Sequence, residues 1–381
     1  MKSVLKLFGG DKVIWILIVI LTVYSGLAVS SSIVSLARDG SSSIGMHIVR
    51  HSTFLLVGWL IIYVTHLIPY KFYSIFAQLL VVVAVLLLAY TLFKGKVLNQ
   101  APRWLDTGLG FTFQTSDFAK VALIIFVARY LSRNQDNIQN LKNGFLPVLM
   151  WIVLVCGLIF PANLSTAGIL FVACIILLFI GRVRLVYIGG LLLTGILMGL
   201  IVFLIAKNSA EKGRATTWGN RIESFMNPDE GDTFQSDRAK IAIANGGVLG
   251  RFAGHSTQKH SLPQAYSDFI FAIIIEEYGL LFGAIPLLFI YLTLLFRAGV
   301  IVKKCDRTFP AFLAIGLTIG LVLQAMVNMG VAVGLLPVTG QPLPWISRGG
   351  TSILFTSVVF GIILGISRSL DENNRETVNA K

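Results

Sequence analysis

The chain has 381 residues, of which 55% are hydrophobic and only 13% are charged. A water-soluble domain carries about 25% charged residues, so a soluble globular enzyme is excluded, and disordered and fibrous classes with it. The formal net charge of +13 invites a nucleic-acid reading, but in a membrane protein the position of each charge decides its meaning.

The first apolar run, Val13–Ser32, follows Lys2, Lys6 and Lys12. It is long and lacks a small-residue cleavage site, so it reads as a retained first helix rather than a signal sequence. Further runs lie at Phe54–Ile68, Phe72–Leu92, Phe118–Leu131, Leu146–Phe160, Leu164–Ile180, Leu185–Ile205, Phe269–Phe296, Phe309–Val333 and Ser352–Ile366. A helix needs about 20 apolar residues to cross a bilayer. The pattern predicts an all-α polytopic membrane protein with ten transmembrane helices, forming a single domain. The three cysteines, Cys156, Cys174 and Cys305, are too few and too scattered for a disulfide framework or a zinc site.

An even number of spans puts both ends on one side. Segments on the amino-terminal side hold sixteen Lys and Arg residues, and short loops on the other side hold six. The positive-inside rule then places residues 1–12 and 369–381 in the cytoplasm. Loop 207–263, between runs seven and eight, lies outside and carries eight basic and six acidic residues. A loop of this length is usually functional. Within it, Gln235–Ala244 is expected to form a short interfacial helix. Gly246, Gly247, Gly250 and Gly254 imply tight turns or close backbone approach.

Ionisable groups at membrane depth are costly and mark functional sites. Asp117 and Lys120, three apart at the outer start of run four, share one helical face. Either they form a neutralised anchoring pair, or they wall a polar cavity and present Lys120 to an anion. Gln114 and Ser116 extend that polar end. Asp268 opens run eight, as a helix-capping acid or as a general base at the membrane–water boundary. Glu276 and Glu277 follow roughly 12–14 Å deeper, as a buried hydrogen-bonded pair or as a proton or cation path. The last outer loop, Leu336 to Ser352, is rich in Pro, Gly and hydroxyl residues. Its Ser347, Arg348, Gly349, Gly350, Thr351 and Ser352 open a helix with exposed backbone N–H groups, which suits a phosphate. Arg50 and Arg103 add positive charge on the same face. His47, His51, His66, His255 and His260 show no metal-ligand spacing, and no Walker loop, dinucleotide fingerprint or Ser–His–Asp set is visible.

Three segments together resemble the SEDS family (shape, elongation, division and sporulation proteins). They are Gln258-Lys259 with Leu262-Pro263, Ser267 to Ala272 and Glu276-Glu277-Tyr278-Gly279; Gly334 to Pro337 with Thr339-Gly340, Leu343-Pro344 and Ser347 to Ser352; and Arg103-Trp104 with Gln114 to Asp117 and Lys120. Gln258-Lys259 leans towards the division branch of the family. The resemblance implies a ten-helix peptidoglycan glycosyltransferase of the bacterial cytoplasmic membrane, acting at the division septum. It implies lipid II as substrate, a class B penicillin-binding protein and other division proteins as partners, contact with membrane lipid, and no nucleic acid. The family's essential aspartate maps onto Asp268, and its acid–lysine pair onto Asp117 and Lys120. The polyprenyl pyrophosphate leaving group would be met by Arg50, Arg103, Lys120, Lys259 or Arg348, with Ser347 and the Gly349-Gly350 backbone. The resemblance fixes no cofactor; a divalent cation, Mg or Mn, could assist the leaving group, but no ligand set is evident. Departures from the family pattern are Gln264, Thr115, Asp117, Asn163, Phe252 and Arg348. The competing readings are a lipid II flippase, which needs polar groups along a whole path, an elongation-type polymerase, and a scaffold that would not need Asp268.

Overall fold

In the computed structural model the described residues are 9–33, 44–98, 101–106, 112–208, 214–227 and 233–379. Residues 1–8 and 380–381 of the terminal segments, and parts of loop 207–263, lie outside them. The helices are α1 Lys12–Ser32, α2 Ile44–Leu67, α3 Tyr70–Lys94, α4 Thr115–Arg133, α5 Leu146–Ile159, α6 Leu164–Ile180, α7 Leu185–Asn208, α8 Arg214–Met226, α9 Phe234–Gly246, α10 Ile270–Gly279, α11 Ile285–Lys303, α12 Thr308–Ala332 and α13 Gly350–Asn379. Each of the ten apolar runs falls in one of these helices, with α10 and α11 sharing run eight. Among the described residues seven helical segments are long and apolar enough to cross a membrane. The others are α6, at 17 residues, α7, whose described apolar part is Leu185–Gly195, and α4, which carries Asp117, Lys120, Arg129 and Arg133. α4 tolerates those charges because protein surrounds it: every residue from Val121 to Ala128 is buried.

Between α3 and α4 stands a small antiparallel sheet, β1 Lys96–Leu98, β2 Ala101–Asp106 and β3 Thr112–Gln114, in that spatial order. Hydropathy did not predict it, because its strands are three to six residues long. Trp104 pairs with Gln114, and β3 runs without interruption into α4. The sheet thereby fixes Arg103 beside the polar start of that helix.

Loop 207–263 contains α8 and α9, and α9 is the helix predicted at Gln235–Ala244. The stretch after α9 packs onto α10. Arg251 N donates to Glu276 O at 3.0 Å, and Leu280 N and Leu281 N donate to Gly247 O and Val248 O at 3.0 Å each. Only glycine permits this approach at two places: a Cβ on Gly250 (φ +83°) or on Gly279 (φ +71°) would collide with the opposite backbone. Gly279 also ends α10, and a single π turn, Leu280–Ala284, connects it to α11.

Two contacts pin opposite ends of α1. At its first turn Asp11 caps the helix, accepting from Val13 N at 2.9 Å, and receives Arg297 Nε of α11 at 2.8 Å. At its last turn Ser31 donates to Glu277 of α10. Gly9 and Gly10 lie against Arg368 and Leu364 of α13, and Arg368 Nη2 donates to Leu67 O at 3.1 Å. The described beginning of the chain and the middle of α13 therefore share one end of the bundle.

Candidate active site

Two polar residues buried in α12 organise the opposite end. Asn328 Nδ2 donates to Asp268 O at 2.8 Å and to Gln341 O at 2.7 Å. Gln324 Nε2 donates to Pro342 O at 2.9 Å. Gln341 reaches Thr166 Oγ1 of α6 at 2.9 Å, and Tyr291 of α11 donates to Pro344 O at 2.6 Å. The Gly334–Gly349 segment is thus a plug held in the bundle mouth, its Trp345 buried at φ +66°. It carries the preceding turn with it: Ser347 Oγ donates to Ser267 O at 2.6 Å, and Arg348 N to Tyr266 O at 2.9 Å.

Asp268 ends that turn, half-buried. Its Oδ1 accepts from Ser267 Oγ at 2.7 Å. A Cβ on Gly340 (φ +66°) would stand 3.3 Å from Oδ2, so glycine leaves that side of the carboxylate open. The N-cap of α10 is Phe269, with no side-chain capping bond; the capping explanation of Asp268 therefore does not describe it. Burial raises its pKa, against the Ser267 hydrogen bond and the charges of Arg221 and Arg103, which lower it. Arg221, on α8, donates to Val338 O at 3.2 Å; burial lowers its pKa and Asp268 raises it. Arg103 Nε donates to Ala162 O at 2.7 Å. Both guanidinium charges thus favour the ionised acid. Arg221 was not singled out from sequence, where it is one of eight bases in the long loop. Its signal was the amphipathic segment around it, whose Trp218 packs on Phe160 with ring centroids 5.2 Å apart.

The Asp117–Lys120 pair lies in a separate place. Its ions are 2.9 Å apart, and Lys120 also donates to Gln324 Oε1 at 3.1 Å. Asp117 Oδ2 is buried without a hydrogen-bond partner. It faces a cavity of about 60 Å³ that Ser352 and Thr356 also line, room for a few water molecules. Gln114 and Ser116 bond each other at 3.0 Å. Gln324 links this cavity to the plug above it through Pro342 O, and Pro344 of the plug also lines it.

Glu276 and Glu277 are buried, facing protein. Glu276 accepts from Thr257 N at 3.1 Å, Thr257 Oγ1 at 2.7 Å, Gln258 N at 3.2 Å and Asn245 Nδ2 at 3.2 Å, and from Ser256 Oγ. Glu277 accepts from Ser31 and from Ser256 N. Of the two sequence readings, this geometry is that of the hydrogen-bonded pair. Lys259, expected to face a pyrophosphate, is buried with Nζ on Gly254 O at 2.6 Å. Arg348 stacks 5.3 Å above the Tyr266 ring and meets His47 Nδ1 at 3.0 Å. Burial lowers its pKa, Tyr266 opposes that, and the charge of Arg50 adds to the lowering. Gly350 begins α13 directly under the Phe54 ring, next to Gly349, and Thr351 is buried; the helix start that suited a phosphate is covered on that side. Among the described residues no three His, Cys, Asp or Glu converge, and Asp268 has arginines rather than a second carboxylate beside it. That donor set does not fit a divalent cation.

A membrane-spanning bundle whose plug holds a half-buried carboxylate under the charge of two arginines defines the class: a polytopic integral membrane protein. The chain belongs to the FtsW/RodA/SpoVE family, whose model, described as a cell cycle protein, matches residues 11–372. It is 32% identical over 379 residues to the probable peptidoglycan glycosyltransferase FtsW of Trichlorobacter lovleyi, covering 97% of this chain and 96% of that one. It is also 32% identical to stage V sporulation protein E of Bacillus subtilis, over 84% of this chain and 86% of that one. Among solved structures it superposes on the rod shape-determining protein RodA of Thermus thermophilus with a TM-score of 0.69 at 22% identity, covering 94% and 97% of the two chains. A chain from a peptidoglycan synthase complex that coordinates polymerization and crosslinking gives a TM-score of 0.76 at 22% identity, over 95% and 98%.

Proposed function

We propose that this protein is a peptidoglycan glycosyltransferase that polymerises lipid II at the outer face of the bacterial cytoplasmic membrane, both termini being cytoplasmic. The observation that carries the reading is Asp268, half-buried beside Arg221 and Arg103 with Gly340 leaving its second oxygen open. A raised carboxylate pKa makes a better base near neutral pH. Asp268 takes the proton from the acceptor sugar hydroxyl as that oxygen attacks the anomeric carbon of the donor. The carbon–oxygen bond to the polyprenyl pyrophosphate breaks, and its electron pair leaves with the phosphate. Arg103 and Arg221 stabilise the charge that develops there. The identity to FtsW-named relatives supports a septal role over an elongation role, and the likeness to a chain of a synthase complex supports a class B penicillin-binding protein as partner.

Transport of the whole headgroup is less well supported. The cavity beneath the plug holds about 60 Å³, too small for a disaccharide, and Glu276 and Glu277 are covered rather than lining a path. The test is purified protein with its transpeptidase partner, given lipid II. Glycan chains form with the native chain, and Asp268→Asn lowers the rate by about 10²–10⁴. Normal polymerisation by that variant would remove Asp268 as the base; flipping without polymer would favour transport.

A further inference from the structure

The turn between α9 and Ser256 carries large apolar side chains that stand exposed among the described residues. Val248 is 63% exposed, Leu249 67% and Phe252 79%. Phe252 adopts φ +71°, a left-handed conformation that a bulky side chain adopts only under strain. A residue strained in its backbone and unpacked in its side chain gains nothing inside the molecule.

Two rulers give the depth of this turn. α1 has 21 residues, about 30 Å at 1.5 Å per residue, the thickness of a bilayer's hydrocarbon core. Its inner end is level with Arg297, through Asp11, and its outer end is level with Glu277, through Ser31. From Arg297 back to Glu277 is twenty residues of α11, π turn and α10, again about 30 Å. Both place the outer edge of the hydrocarbon at Glu277. Leu280 and Leu281, three and four residues further inward, hydrogen-bond Gly247 O and Val248 O. The turn therefore dips about 5 Å below that edge. It also continues an exposed apolar stripe along the same span, Phe282, Ile285 and Phe289, at the spacing of one helical face.

We infer that the Gly246–Gly254 turn is a re-entrant membrane anchor, with Val248 and Leu249 seated among the acyl chains of the outer leaflet and Phe252 at the headgroup boundary. Three backbone groups it brings towards that zone, Gly247 O, Val248 O and Arg251 N, are paired to the π turn and α10, which lowers the cost of immersing them in lipid. Through Glu276 and Glu277, which hold Ser256 to Gln258, the anchor sets the height of the segment leading to Asp268.

The test is collision accessibility of a nitroxide at Leu249→Cys in the full chain with Cys305→Ser, reconstituted in phosphatidylethanolamine–phosphatidylglycerol vesicles. Phe289→Cys serves as the lipid-facing reference and Asp237→Cys on α9 as the aqueous one. The expected oxygen-to-nickel-chelate ratio at residue 249 is several-fold above that at 237 and below that at 289, which lies about twelve residues deeper than Glu277 along the same span. A ratio like that at 237 overturns the anchor. Low collision with both reagents also overturns it, because another polypeptide then covers the turn. If labelling at 249 disturbs folding, the same comparison at Phe252→Cys decides, with an expected value between the two references and the same two overturning outcomes.

Discussion

At Asp268 burial and charge act in opposite senses. Desolvation raises its pKa, and Arg221 and Arg103 hold it back. A base must be deprotonated to act, so activity falls as pH drops through this raised pKa, above the range of an ordinary carboxylate. Removing an opposing charge raises the pKa further. Arg221→Ala is thus expected to move the acid limb of the pH–rate profile to higher pH, besides lowering kcat; an unmoved limb would mean that Arg221 acts only on the phosphate. The same shift has a stability sign. The folded chain binds this proton more tightly than the unfolded chain, so the stability it contributes is present at low pH and lost as pH rises through the folded pKa. Asp268→Asn is therefore expected to melt no lower than the native protein at neutral pH, measured by thermal unfolding in detergent. Asp268 was legible in the sequence because it stands at a boundary between polar and apolar segments. Arg221 was not, because only the fold brings α8 over Gly340.

Helices were legible to the extent that burial is continuous along them. α12 reads as an apolar run, and Gln324 and Asn328, one turn apart within it, are the exceptions that hold the plug. Sequence left Glu276 and Glu277 between two readings, and placed Lys259 towards a phosphate, for one reason: distance along a helix says nothing of what folds back against it. In space Ser256, Thr257 and Gln258 return to cover Glu276. Glu276→Ala leaves those donors without their acceptor, each unpaired buried group costing about 1–3 kcal/mol. The expected result is protease cleavage within residues 251–260 and a large loss of polymerisation, with the membrane-spanning core intact on gels. Uncleaved, active protein would show that the loop is held by other means. The β1–β3 sheet escaped prediction because strands this short carry no readable alternation.

Across the whole molecule, charge governs placement. The excess of bases read from sequence as a sidedness signal includes Arg297, which lies with Asp11 at the end of the bundle shared by Gly9 and Arg368. Asp11→Ala removes both a helix cap and the partner of a half-buried guanidinium, at an expected cost of about 3 kcal/mol or more. Melting of Asp11→Ala, of Arg297→Leu and of the double variant checks this. The double variant is expected to recover much of the loss, because it leaves no charge unpaired; simple addition of the two losses would show that the pair is not coupled.

Asn328 has a consequence for how the site can move. One amide group grips two backbones, at Asp268 and at Gln341, so neither strand of the mouth can shift without dragging or releasing the other. A force applied anywhere on the plug arrives at the carboxylate as a displacement rather than as a loosening. The carboxylate and the surface around it therefore behave as one hinged block, and anything that tilts that block adjusts both of its sides in a single step.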